Sequence, residues 1–270
     1  MEKGDFTSAE TYGREALEMT RKLHGAEHPD IALQLSNLGS MVGARGDTDG
    51  WVSMAQEALD MRRKLFGPEH EQVAMSLVGL GRALEQKAEP AAARPLYEEA
   101  LRIQRKVYGA EHPRVADVLG NLAELHFAEG DREGAEPLAR ETLAIREKTL
   151  GVSHPDTGCS LAMLGSIRME GGSSEEAEGL LRRGLTVLSK SLPAGHWRVA
   201  EARSRLGACL AARGNATEAG PLLVEGYEGL RLGRGPTHVK TRAALDRLIA
   251  FHEARGDMAS AAACRAGAPD

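Results

Sequence analysis

At 270 residues the chain is long enough for one or two compact domains, and with 42% hydrophobic and 27% charged residues it is not a disordered polymer. Its net charge of −5 argues against nucleic acid as the main partner, because neutralising phosphate requires a basic surface. Aromatic residues make up only 4%, so the core must be filled by Leu, Ala, Val and Met, which suits thin layers better than one thick core. The charge is uneven: residues 1–195 hold 23 Lys/Arg against 31 Asp/Glu, and residues 196–270 hold 11 against 8.

Three cysteines, Cys159, Cys209 and Cys264, form no CxxC and leave an odd number. That pattern reads as a reduced, cytoplasmic protein. The first ten residues carry no apolar run of a signal peptide, and no stretch reaches the roughly 18 apolar residues of a membrane helix.

In chain order the elements repeat every 42 residues. Histidines stand at 28, 70, 112, 154, 196 and 238. Glycines at 25, 67, 109, 151 and 235 keep the same step, with Pro193 in the missing place. A second glycine series runs 4, 46, 130, 172, 214 and 256, with Ala88 as its exception, and alanines at 9, 93, 135, 177, 219 and 261 share a third register. A fixed period of this length signals stacked supersecondary units.

Each unit predicts two helices. After the histidine, Ile31, Leu35, Leu38 and Val42 fall on one face, as do Val73, Leu77, Leu80 and Leu84 in the next unit. Pro29, Pro113 and Pro155 suit the first turn of such a helix. The second helix follows a Gly-Asp step, with Asp131 a candidate N-cap, and ends at the glycine of the 25/67/109/151 series, suited to a positive φ. Pro95, Pro137 and Pro221 sit inside the second helices as curvature devices. The expected array is a half repeat at 4–25 and repeats at 28–67, 70–109, 112–151, 154–193, 196–235 and 238–268, one solenoid over 1–270. The outer faces of helices 5–24 and 257–268 lack a neighbour in this scheme, so further chain or a partner is expected to cover them.

Asn121-Leu-Ala, Gly130-Asp131, Ala135-Glu-Pro-Leu and the run from Leu143 through Gly151 to His154-Pro155 resemble the 42-residue tetratricopeptide (TPR) repeat of kinesin light chains. The resemblance covers essentially the whole chain. It implies an all-α, right-handed TPR superhelix of about six and a half helix-turn-helix repeats, with the first helices lining a concave groove. No heptad coiled coil for joining a kinesin heavy chain is present, so the resemblance is to the repeat type.

The implied groove stripe falls at 33/37/40/44 plus multiples of 42. Its central positions are Asn37, Gly79, Asn121, Met163, Arg205 and Arg247, with Arg82 and Glu124 at the next position. The resemblance assigns the asparagine to holding the backbone of an extended peptide, which transfers to Asn37 and Asn121 alone. Arg205 and Arg247, in the basic region, are expected to face solvent and hold an acidic segment. Arg203 replaces the leucine of 35, 77, 119, 161 and 245, so either the pitch changes there or Arg203 faces the groove.

No nucleotide-binding, kinase, serine-hydrolase or HExxH motif occurs, so no enzyme, cofactor or metal is expected. The in-register histidines stand on different repeats, roughly 10 Å apart, too far to share one ion. They are expected instead to close the inter-repeat turns by hydrogen bonding. Cys159 lies on the groove stripe, as a reactive thiol or as a tolerated small residue. The functional expectation is a protein–protein interaction scaffold that holds a partner peptide or helix in a signalling assembly, with no nucleic acid or membrane partner. Two alternatives stand beside it: a C-terminal sensor array of a larger bacterial kinase or signalling ATPase, and an architectural spacer.

Overall fold

The computed structural model describes residues 3–267, in which 13 α-helices and no strand occur. A lone second helix, α1 (Lys3–His24), precedes six pairs. These are α2 (Pro29–Ala44) with α3 (Thr48–Phe66), α4 (Glu71–Gln86) with α5 (Pro90–Tyr108), and α6 (Pro113–Ala128) with α7 (Arg132–Leu150). Then follow α8 (Pro155–Glu170) with α9 (Ser174–Ser191), α10 (Trp197–Ala212) with α11 (Ala216–Arg234), and α12 (Val239–Ala254) with α13 (Met258–Ala266). The helices fall into two compact units, Met1–Ala110 and Glu111–Asp270, whose boundary lies in the turn between α5 and α6. Residue 268 of the expected last repeat lies outside the described residues.

The histidine series has one structural task. Each of His28, His70, His112, His154, His196 and His238 is the N-cap of a first helix. Its Nδ1 accepts the backbone N–H two residues on, at 3.1–3.3 Å. A capping acceptor satisfies one of the donors that a helix start leaves orphaned, and an accepting Nδ1 carries no proton. The second helices are capped by Asp47, Asp131, Asn215 and Asp257, each accepting the N–H three residues on. Asn215, part of a glycosylation-like Asn-Ala-Thr, is thereby committed to the backbone. A lysine near the end of each of the first three complete second helices reaches back to a glutamate before the first helix: Lys64 to Glu27, Lys106 to Glu69, Lys148 to Glu111.

Within a repeat the two helices meet on small residues. Ala93, Ala135, Ala177, Ala219 and Ala261 are all fully buried. Opposite them, a Cβ placed on Gly81, Gly165 or Gly207 would come within 2.5–2.8 Å of Tyr97, Leu181 or Leu223. Leucine and valine fill the space between pairs. Leu17, Ile31, Leu35, Leu38 and Ala58 form one cluster in the first unit, and Leu181, Leu188, Val199, Leu206 and Leu210 form another in the second. On α1, Met19 is exposed, whereas Met61, Ile103 and Ile145 at the same register are buried.

The irregular repeat resolves locally. Pro193, in the place of the positive-φ glycine that ends α1, α3, α5, α7 and α11, ends α9 one residue early, with Leu192 extended. Trp197 lies under the Arg234 guanidinium, 4.5 Å from its ring centroid. Arg203 does not face the groove: its Nε pairs with Glu225 of α11 at 3.4 Å, which offsets the charge on the core stripe.

Two predictions follow from the turns. Ala88 takes φ +64°, the only positive φ outside glycine among the described residues, in the place held by Gly46, Gly130, Gly172 and Gly214. An L-residue there is strained by about 1 kcal/mol. Ala88→Gly is therefore expected to raise stability by about that amount in urea denaturation, with no change of helicity. The second prediction concerns His238, whose imidazole is pushed down from 6.5 to about 3 by burial and by the charges of Arg234 and Lys240. The unfolded chain takes up a proton near 6.5 that the folded state refuses. Stability from this group is thus complete above pH 6.5 and falls as pH drops towards 3, at up to about 1.4 kcal/mol per pH unit. His238→Asn keeps a capping acceptor but cannot titrate, so its stability should decline less steeply than wild type between pH 6.5 and 4.

Candidate functional site

In the first unit the inner stripe is open. Leu33, Asn37 and Ser40 of α2 and Met75 and Arg82 of α4 are exposed, with Gly79 half-buried between them. Beneath them Arg62 of α3 is buried. Its Nη1 donates to Ser76 Oγ at 2.5 Å and Ser36 Oγ at 3.2 Å, and burial lowers its pKa.

In the second unit Asp117 at the start of the stripe on α6 is exposed, but on α8 and α10 the stripe is largely withdrawn. On α8, Met163 and Ser166 are buried and Cys159 is half-buried. Arg205, expected at the surface, is 8% exposed. The correction has a physical cause: α6, α10 and α12 bring carboxylates and cations together over α8, and Arg205 is locked among them. Its Nη2 donates to Glu201 Oε1 at 2.7 Å and to Glu124 Oε1 at 3.3 Å, and its Nη1 to Ser166 Oγ at 3.3 Å. Lys240 Nζ donates to both Glu124 oxygens, at 2.9 and 3.0 Å, and to Glu201 Oε1 at 2.9 Å. The sequence-predicted Glu124 and Arg205 are thus brought together, and Glu201 and Lys240 complete the cluster. Glu201 sits on the stripe at the position of Leu33, so it was legible there. Lys240 lies in the first turn of α12, off the stripe.

The charges in this cluster hold one another. Burial alone would raise the Glu201 carboxyl, but Lys240 and Arg205 keep it well below the usual carboxylate range. Burial likewise works against Lys240 and Arg205, and the two glutamates more than offset it, so both stay protonated. Removing the Arg205 guanidinium would leave Glu201 buried beside one cation fewer, a loss on the order of 3–5 kcal/mol for a broken buried pair. Arg205 is therefore a folding residue.

Arg247 is placed differently. It is half-buried on α12, and its Nη1 donates to Ser204 Oγ at 3.3 Å. No carboxylate oxygen lies within 4.0 Å of it among the described residues. Burial, then the neighbouring charge of Arg205, pushes its pKa down to about 10, and Glu201, Asp246 and Glu124 only partly oppose this. On α6, Asn121 buries its Nδ2, which has no hydrogen-bond partner among the described residues. Cys159 is no reactive thiolate: burial and the charge of Glu201 raise its pKa to about 11.

One group of metal-type ligands occurs in the first unit, at His24, His28 and Asp30, with ligand atoms within 4.8 Å of one another. The two imidazoles are stacked, 4.1 Å between centroids and 13° between planes. Lone pairs in near-parallel rings do not converge on one point, and Nδ1 of His28 already accepts from the Asp30 N–H. No helix of the described residues is long and apolar enough to cross a membrane.

Two tetratricopeptide-repeat family models match the chain, one at residues 1–30 and 31–72 and the other at 52–106, 89–148 and 114–190. No curated protein sequence matches. Among solved structures, a kinesin light chain-like protein with nearly identical TPR-like repeats from Podosopora anserina superposes with a TM-score of 0.60 at 25% identity, over 77% of this chain and 98% of that one. The apo form of RapI gives 0.74 at 14% identity, over 96% of this chain and 88% of that one. A Rap protein complexed with Competence and Sporulation Factor gives 0.62 at 18% identity, over 93% and 71%. With the family models spanning residues 1–190 between them and the 42-residue histidine-capped helix pairs continuing beyond, the chain belongs to the tetratricopeptide-repeat family.

Proposed function

We propose that this chain is a non-catalytic interaction scaffold whose inner helices hold a segment of a partner protein, acting in a cytoplasmic signalling assembly. Membership of the TPR family supports the scaffold reading, and a Rap protein of the same fold is seen complexed with Competence and Sporulation Factor. The observation that carries the site is Arg247, a half-buried guanidinium on the inner face with no carboxylate at contact distance. A largely desolvated guanidinium with no carboxylate in contact is a ready donor to a partner carboxylate, which it can grip in two-pronged fashion. The partner segment is therefore acidic where it meets α10 and α12. Asn121, with its unsatisfied amide, is suited to a main-chain carbonyl of the same segment. Asn37 and Arg82 offer equivalent contacts on the exposed inner face of the first unit.

The test is a binding titration with fluorescent peptides, one glutamate-rich, one lysine-rich and one neutral. The glutamate-rich peptide should bind, and more weakly as salt rises, since a charged interface is screened. Arg247→Glu should weaken it by about tenfold or more, a charge reversal worth at least the 1.4 kcal/mol of one decade. Because Arg247 has no ion pair to break, the variant's melting temperature should stay close to wild type. Equal binding of all three peptides would place the partner site elsewhere.

A further inference from the structure

The second unit carries an interaction that a simple helical stack would forbid. Helices α6 and α12 are separated in the array by α8 and α10, each paired with its own second helix. At 8–10 Å between packed helices, a straight row would put α6 and α12 roughly 30 Å apart, well beyond the joint reach of a glutamate and a lysine. Yet Glu124 of α6 and Lys240 of α12 are in bidentate contact. The inner row of this unit is therefore curled until its first and last members touch.

Next to that contact lies inner surface that a ligand would need. Ser166 of α8 is buried with its Oγ on Arg205, Cys159 is half-buried, and the Nδ2 of Asn121 is withdrawn from solvent. Cys159 occupies on α8 the stripe position that Glu201 holds on α10, and it packs against the apolar cluster that α8 forms with α9 and α10. The four charged members differ in exposure. Arg205 and Glu201 keep 9% and 12% of their side-chain surface, Lys240 keeps 22% and Glu124 keeps 33%. Glu124 is thus the outermost carboxylate. Its loss would leave Arg205 and Lys240 both still paired with Glu201.

We propose that Glu124 is a latch: by clasping Lys240 and Arg205 it holds the second unit's groove closed over Asn121 and Cys159, and an acidic residue of the partner opens the groove by taking Glu124's place on the same two cations. This rests on the acidic-segment reading of the site and adds its regulation. The opening exchanges one carboxylate for another on Lys240 and Arg205, so the cations never stand unpaired. A neutral or basic segment offers no such replacement and leaves the groove shut.

Cys159 provides a native reporter that needs no ligand. Its alkylation by iodoacetamide, followed site by site by mass spectrometry, reads how often the groove opens. Glu124→Gln should accelerate labelling of Cys159 several-fold without accelerating Cys209, and should tighten the glutamate-rich peptide by about tenfold, because nothing then competes for the cations. High salt should accelerate wild-type Cys159 labelling and leave the variant little changed. Lys240→Gln, with circular dichroism as the check that helices are intact, should accelerate labelling too but weaken the peptide, since it removes one of the cations. If Cys159 reacts at the wild-type rate in both variants, the latch is overturned. If Cys159 reacts faster in both but neither wild type nor Glu124→Gln binds the glutamate-rich peptide, the latch stands as a structural closure, and both the acidic-segment reading and the exchange fail.

Discussion

Every feature of this molecule depends on how closely the two helices of a repeat approach, and that distance is set by the absence of side chains. Gly81, Gly165 and Gly207 sit where a Cβ would run into Tyr97, Leu181 or Leu223, and the opposing alanines are fully buried. A glycine inside a helix costs about 1 kcal/mol relative to alanine, so its recurrence at one register marks a packing demand. With the pair drawn together, the leucines and valines of the first helix project between neighbouring repeats, and the third row of side chains is left for the inner face. The histidine cap completes the unit by fixing where each first helix starts. Registers 42 residues apart therefore occupy equivalent places, and a change at one inner position alters chemistry without altering the scaffold.

The two units use that freedom in opposite ways. On α2 and α4 the inner positions hold Leu33, Asn37, Met75 and Arg82, which stand in solvent. On α6, α10 and α12 they hold Glu124, Glu201, Arg205 and Arg247, and the first three with Lys240 draw the inner row together. A buried ion cluster is weak evidence of stability, because desolvation cancels much of the attraction. Its stronger consequence is geometric. Each ion demands its partner at hydrogen-bond distance, so the cluster prescribes one curvature for the unit and penalises others. Hydrophobic packing between successive repeats, being non-directional, tolerates a range of curvatures.

This is also why the sequence was legible in some respects and opaque in others. The period, the helix pairs and the turn-closing hydrogen bonds of the histidines could be read because each is a local rule repeated six times, whereas their place as N-caps emerges from the structure. The alanine register was visible as a series, and its meaning as the helix-helix contact emerges once Gly81 and Tyr97 are seen together. Arg205 was legible as an inner-face residue, yet its burial was not. Whether an inner residue meets solvent depends on curvature, and curvature here depends on a contact between residues 124 and 240 that no window of sequence joins. Arg203 shows the same limit on a smaller scale, since its partner Glu225 lies on the next helix at a position that carries no signal of its own. From its own helix Cys159 reads either as a reactive thiol or as a tolerated small residue. Besides burial, the charge that holds its thiol protonated is that of Glu201 on α10, not of its own helix.

The energetic logic of the closed unit sets what kind of partner it can admit. Opening against solvent would strand Lys240 and Arg205 with one carboxylate fewer in a poorly hydrated place, which is unfavourable enough to keep the open state rare. A ligand shifts such an equilibrium only through its differential affinity for the open form. An acidic segment has that affinity twice over: it replaces Glu124 on the cations, and it brings a carboxylate into contact with Arg247, which has none at contact distance in the closed form. An uncharged peptide gains the amide of Asn121 but must bear the whole cost of parting the ions. Discrimination would then come as much from the closed state's resistance to wrong ligands as from attraction to the right one. Affinity for an acidic segment and rejection of a neutral one would be properties of the same few side chains.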